Sequence, residues 1–268
     1  MATLEQTQIA ELEAAPDTVL DPAVTDWEPT PPPTDLIFDD GEPLETNRHR
    51  TAMNTLIRSL QQAWSDRQDY FTGGNMFVYF SDKQVFNKDF RGPDFFAVLD
   101  IDGSYTREGW VVWLENGRYP NVIVELMSSS TAKIDRTVKK DLYERTFRTP
   151  DYFVFSPFNP KSLQGWHLDS NQKYQSLQFN ANGWLWCESL GFWLGTWEGV
   201  VDRDHAIWLR FFDRDGNLVL LPEEAAQLNA EQAQIQAEQA QIQAEQEHQR
   251  AERLAARLRL LGEDPDTL

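Results

Sequence analysis

The sequence predicts an α/β protein with a mixed sheet, and three observations carry that prediction. Apolar β-branched and aromatic runs recur between polar turns from residue 76 to residue 221. Two stretches with helical spacing of apolar residues, 45–64 and 133–147, are set among those runs, and after the second only short strands follow. A seven-residue repeat then occupies the C-terminal stretch. The expected architecture is an α/β (α+β) core with a mixed sheet, a β-rich extension and a long C-terminal helix.

Residues 1–43 are acidic and proline-rich, with Pro29 and then Pro31, Pro32 and Pro33, and are expected to form an arm. The segment 44–221 is the expected core and 222–268 the expected tail. Met53, Leu56, Ile57 and Leu60 give the first helix its apolar face. Met76–Phe80 reads as a strand after the turn Gly73-Gly74-Asn75. Gly92-Pro93-Asp94 opens a second, FFAVLD, and Trp110–Leu114 makes a third that stops at Glu115-Asn116-Gly117.

The run Val122–Met127 is a buried strand by composition. A Ser/Thr cluster, Ser128–Thr131, turns it into an amphipathic helix over 133–147. Asp151–Ser156 is the next strand, halted by Pro157 and Pro160. Short strands are expected at Trp166–Leu168, Trp184–Trp186, Phe192–Leu194, Trp208–Phe212 and Leu218–Leu221.

Charge is segregated along the chain. Residues 1–47 hold 12 acidic and no basic side chains, residues 222–268 hold 10 acidic and 4 basic, and the stretch between them is nearly neutral at -1. The formal charge of -19 therefore does not exclude a phosphate-bearing substrate, because a neutral core can carry a local basic patch. Lys133, Arg136, Lys139 and Lys140 on the helix after Val122–Met127 supply one. The single cysteine, Cys187, excludes a disulfide framework and a multi-cysteine zinc site. With no signal-peptide pattern and no apolar run of about 18 residues, the expected location is cytoplasmic, away from membranes.

In the tail, Ala230, Ala237, Ala244 and Ala251 recur every seven residues, with Ala233, Ala240, Leu254 and Leu261 three positions after such a site and Glu247 interrupting. This is a heptad seam, weak in alanine and stronger toward Leu254, Leu258 and Leu261. It predicts a coiled coil for homo-oligomerisation or docking, with a single polar helix as the alternative.

Candidate chemistry rests on carboxylates. Glu125 stands in the middle of a buried strand, where an unpaired charge costs several kcal/mol, roughly. Asp94 precedes another strand about thirty residues earlier. Two carboxylates on neighbouring strands can share Mg²⁺, a hard cation that takes oxygen ligands, and Lys139 can neutralise negative charge as it develops. The alternatives are a simple turn at Asp94 and a glutamate paired with an arginine. Asp135 reads as a helix N-cap, with contact to the site as its alternative. Tyr143 reads as core, and His49 as a residue of the first helix face or an accessory to the site.

Gly92-Pro93-Asp94, the strand VIVELMSSST, the helix with Asp135, Lys139 and Tyr143, and TPDYFVFSP together resemble the Uma-type endonuclease-like family of the PD-(D/E)XK nuclease superfamily. Residues 45–49 and 67–69 resemble the longer members, and the likeness covers about residues 40–221. The family is abundant in cyanobacteria. The resemblance implies a restriction-endonuclease-like core and Mg²⁺-dependent (or Mn²⁺-dependent) cleavage of DNA, with Asp94 and Glu125 as metal carboxylates. One position departs from the superfamily pattern: Met127 stands where a lysine is usual. Lys139 on the following helix then matches the family position best, with Lys140 beside it, and Glu45 can add a carboxylate from the first helix. The alternative is an inactive nuclease-fold protein that binds or assembles through its tail.

Overall fold

Thr46 opens the first helix of the computed structural model, which describes residues 34, 36, 46–81 and 92–262. The expected N-terminal arm, apart from Thr34 and Leu36, and Glu45 lie outside these residues. The Thr46 hydroxyl accepts the backbone N–H of His49, satisfying one of the amides that a helix start leaves open. Helix α1 (Asn47–Ala63) then buries Ala52, Met53, Leu56 and Leu60 along one face.

Five strands precede the second helix: β1 (Tyr70–Gly73), β2 (Val78–Tyr79), β3 (Phe95–Leu99), β4 (Trp110–Val111) and β5 (Val122–Leu126). Helical segment α2 then runs continuously through Ala132–Ile134, Asp135–Lys139, Lys140–Leu142 and Tyr143–Phe147. Its second and fourth parts are wider π turns. Six strands follow: β6 (Asp151–Ser156), β7 (Asn159–Leu168), β8 (Tyr174–Ser176), β9 (Leu185–Cys187), β10 (Phe192–Val201) and β11 (Asp204–Phe212). Helix α3 (Pro222–Leu260) ends the described chain.

The main sheet has the order β1-β3-β5-β6-β7-β8. Its central pair, β5 and β6, is parallel, and every other pairing in it is antiparallel. A parallel pair needs a crossover, and α2 is that crossover. The two-residue period of a strand divides the sheet's side chains between two cores. Phe95, Ala97, Val122, Val124 and Leu126 pack toward α1 and toward Leu194, Leu209 and Phe211 of a second sheet, β9-β10-β11. Phe96, Val98, Ile123 and Met127 pack with Tyr143 and Phe147 of α2. Glu125, in phase with Ile123 and Met127, therefore belongs to the α2 face.

Several expected strands change length. Met76–Phe80 and Trp110–Leu114 reduce to the two-residue β2 and β4, which pair with each other in parallel. Pro160 does not keep the chain from a strand: β7 begins at Asn159 and runs ten residues. The register of β6 with β7 shifts between Val154 and Ser156, so the missing proline N–H falls at an irregular end of the ladder. The expected Leu218–Leu221 strand is a single bridge, Phe212 to Leu218.

Helix α3 is anchored at its first turn. Arg210 of β11 is wholly buried, and its two terminal nitrogens donate to the Glu224 carboxylate at 3.1 and 2.6 Å. Glu224 also accepts the Leu221 N–H at 2.7 Å, and Pro222 begins the helix where no amide partner is needed. Removing one partner of a buried pair leaves an uncompensated charge. Glu224→Ala is expected to destabilise the protein by about 2–3 kcal/mol, discounted because Glu224 is partly exposed. Glu231→Ala, on the exposed part of the same helix, should leave the thermal midpoint within about 1 °C. Thermal unfolding of the two variants side by side checks the difference.

Candidate active site

The antiparallel register of β3 and β5 dictates the site. Phe95 lies opposite Val124 and Phe96 opposite Ile123. One further step along the same ladder sets Asp94 across from Glu125, on the α2 face. Side chains directly opposed on adjacent strands approach to about 5 Å, and like charges there destabilise the sheet. The Leu126 N–H donates to Asp94 Oδ2 at 2.7 Å, which fixes that carboxyl group against β5. Glu125 is fully buried, while Asp94 keeps partial access to solvent.

Helix α2 answers Glu125 with two donors. Lys139 Nζ donates to Glu125 Oε2 at 2.9 Å, and the Tyr143 hydroxyl donates to Oε1 at 2.7 Å. Lys139 also pairs with Asp135 Oδ1 at 2.9 Å, and the Tyr152 hydroxyl of β6 donates to the Asp135 carbonyl at 2.8 Å. Asp135, Lys139 and Tyr143 are four residues apart. In an α-helix of 3.6 residues per turn, each four-residue step rotates the side chain by about 40°. The π turns over Asp135–Lys139 and Tyr143–Phe147 widen the helix and take up that drift, so the three stay aligned toward β5. π turns within helices are frequent at functional sites.

Asp135 is thus not a helix N-cap. It is a buried interior residue of α2 that binds the same ammonium as Glu125. Lys140 does not join the site: its Nζ sits 5.0 Å from the Trp166 ring centre and 5.5 Å from that of Tyr174. His49 is buried at the start of α1 and lines, with Thr46, Met127, Ser128, Arg136 and Phe158, an adjoining cleft of about 520 Å³. Gly74, which the sequence reading used only as a turn, supports Asp94 directly. A Cβ on Gly74 would lie 2.3 Å from the Asp94 carbonyl oxygen, so a glycine is required there. Tyr143, assigned to the core, is buried and also grips Glu125.

Electrostatics follow from this crowding. Burial, then the charge of Glu125, push the Asp94 carboxyl well above the usual range for aspartate. Burial and Glu125 likewise raise Asp135, opposed by Lys139. Burial alone would lower the Lys139 ammonium, but Glu125 and Asp135 overcome it and hold Lys139 more firmly protonated than a free lysine. Among the described residues, no three His, Cys, Asp or Glu side chains converge as a closed metal cage. What a cation would meet is the opposed pair, Asp94 and Glu125, set across from each other by the β3–β5 register. A hard-oxygen donor pair short of positive charge fits Mg²⁺, which commonly takes one or two carboxylates and keeps its waters.

The family described as "Uma2: Putative restriction endonuclease" matches residues 22–198. The chain belongs to the Uma2 family. The match covers Asp94, Glu125 and Lys139 and ends before β11 and α3. Among solved structures, a chain titled a putative nuclease belonging to DUF820, from Anabaena variabilis ATCC 29413, is similar at TM-score 0.38 and 10% identity. That likeness covers 57% of this chain and 81% of that one. No curated protein matches. Among the described residues, no helix of this Uma2 chain is long and apolar enough to cross a membrane.

The raised Asp94 has a measurable consequence in metal-free protein. Its folded carboxyl titrates at higher pH than the unfolded one, so the folded state holds the extra proton between the two values. That stability is complete below the unfolded value and is lost as pH rises through the folded one. Asp94→Asn keeps an acceptor for the Leu126 N–H and does not titrate. In chelator at pH 8 the variant is expected to melt above wild type, by about 2–4 °C for each kcal/mol relieved. Near pH 4.5 the gain should largely vanish. Thermal melts at the two pH values check this.

Proposed function

We propose that this Uma2 protein is a metal-dependent endonuclease that hydrolyses phosphodiester bonds in DNA. The observation that supports it most strongly is the opposition of Asp94 and Glu125 across β3 and β5, with Lys139 at 2.9 Å from Glu125. A purely structural core gains nothing from two facing carboxyl groups, whereas a divalent-cation site requires them. Asp94 and Glu125 would hold Mg²⁺ or Mn²⁺, and the bound ion supplies charge neutralisation at a phosphoryl group and a more acidic water.

The remaining roles belong to the chain's own residues. Tyr143 and Lys139 fix both oxygens of Glu125, so its carboxylate is oriented before any ligand arrives. Lys139 stays protonated, which suits it to stabilise negative charge developing on phosphate oxygens and makes it a poor general base. Asp135 positions Lys139. Arg136 lines the adjoining cleft together with Ser128, Ser129, Ser130 and Phe158. Arg136 is exposed, and none of the described carboxylates pairs with it, so its guanidinium suits a backbone phosphate.

Cleavage of mixed single- and double-stranded DNA in Mg²⁺ or Mn²⁺ is the test. Asp94→Ala and Glu125→Ala are each expected to lower cleavage by about 10³-fold or more. Lys139→Ala should lose about 10²-fold, and Lys140→Ala should match wild type. Undiminished cleavage in the Asp94 or Glu125 variant overturns the proposal.

A further inference from the structure

Helix α3 reaches far beyond the contacts that anchor its first turn. None of its residues is buried, and at about 1.5 Å per residue its 39 residues extend for about 58 Å. Two properties change along it in step. Residues 222–248 carry six glutamates and no lysine or arginine, whereas residues 249–262 carry four arginines and one glutamate. The seam changes as well: its sites are Ala230, Ala233, Ala237, Ala240, Ala244 and the interrupting Glu247 in the first part, and Ala251 followed by Leu254, Leu258 and Leu261 in the last. The helix is therefore acidic at one end and basic at the other, and its seam is small at the acidic end and larger at the basic end, while Leu228, Ile235 and Ile242 lie exposed on the face away from that seam.

From this double asymmetry we infer that α3 pairs with α3 of a second copy of this chain, and that the two helices run antiparallel. A parallel pair would set glutamates beside glutamates and arginines beside arginines, and would leave alanine facing alanine over most of the seam. The antiparallel pair brings the basic end of each helix against the acidic end of the other. It also packs each leucine against an alanine, which matches volumes along the seam.

The register with the longest overlap that does so places Leu261 of one chain by position 230 of the other, Leu258 by position 233 and Leu254 by position 237. Glu247 then falls by position 244, next to the two-fold axis, where it interrupts the seam. Each helix ends eight residues short of the other's Pro222, so neither runs into the other core. The two cores lie about 70 Å apart along the paired helices. Such a dimer does not bring two sites to opposite strands of one short duplex segment. It joins two sites that engage separate positions.

Cysteine cross-linking of the full chain tests this, with little background because Cys187 is buried. Ala244→Cys and Ala230→Cys both lie on the exposed helix, away from the core. Under a short bismaleimide, Ala244→Cys is expected to form covalent dimer. Ala230→Cys alone should not, since its two copies are about 46 Å apart, but mixed with Leu261→Cys it should cross-link. Sedimentation should give twice the mass of one chain at tens of micromolar. Equal self-cross-linking at 230 and 244 would establish a parallel pair and overturn the inference, and a monomer in sedimentation would overturn it outright.

Discussion

Two carboxyl groups facing each other on one side of a buried antiparallel ladder are the constraint on which the rest of the site depends. Asp94 and Glu125 occupy that position because the β3–β5 register leaves them no other. The strand residues Phe95–Val98 and Val122–Val124 beside them are apolar, so the pair is a cost inside the α2-facing core. Everything around it offsets that cost: the Leu126 amide holds Asp94, while Lys139 and Tyr143 satisfy Glu125. Even so, burial first and the charge of Glu125 second hold Asp94 toward its protonated form.

Met127, two positions after Glu125 where the resemblance leads us to expect a lysine, is buried in the core. The cation comes instead from α2, and that transfer sets demands on the helix. Lys139 must reach down to β5 while Asp135 and Tyr143 remain on the same line. The wider turns of α2 meet this demand, and the Tyr152 hydroxyl secures the Asp135 carbonyl within the widened turn. Helix geometry, ion pairing and the position of the carboxylates are thus one connected arrangement.

Much of this was legible in the sequence where a period was strong. The apolar run of β5, the Asp151–Ser156 strand and the long helix after Pro222 all stand close to where composition placed them. The short β2 and β4 fell below the length at which alternation is informative, and their expected forms were longer. Pro160 was read as a stop because a proline lacks an amide donor, yet an irregular strand end does not need one. In the site, Asp94 and Glu125 could be named as carboxylates set against apolar strands, and Lys139 from its place one helical turn after Asp135 and from the family resemblance. Asp135 could not be placed, because a helix start and a buried interior position look alike when the wider turns that distinguish them carry no sequence signal. Tyr143 gave no sign of its hydrogen bond for a similar reason: a tyrosine among apolar residues reads as packing.

If opposed charge is what the site is built around, a divalent cation must relieve it. The most direct measurement is the thermal midpoint of the wild-type chain at pH 8 in chelator and in millimolar Mg²⁺ or Mn²⁺, beside Asp94→Asn. Binding to the folded state alone stabilises it by RT ln(1 + c/Kd), where c is the free ion concentration, about 2.7 kcal/mol at a hundredfold excess over Kd. The wild type should therefore melt several degrees higher with the ion, and Asp94→Asn should not respond. No rise in the wild type, or an equal rise in both proteins, would contradict a cation site at Asp94 and Glu125.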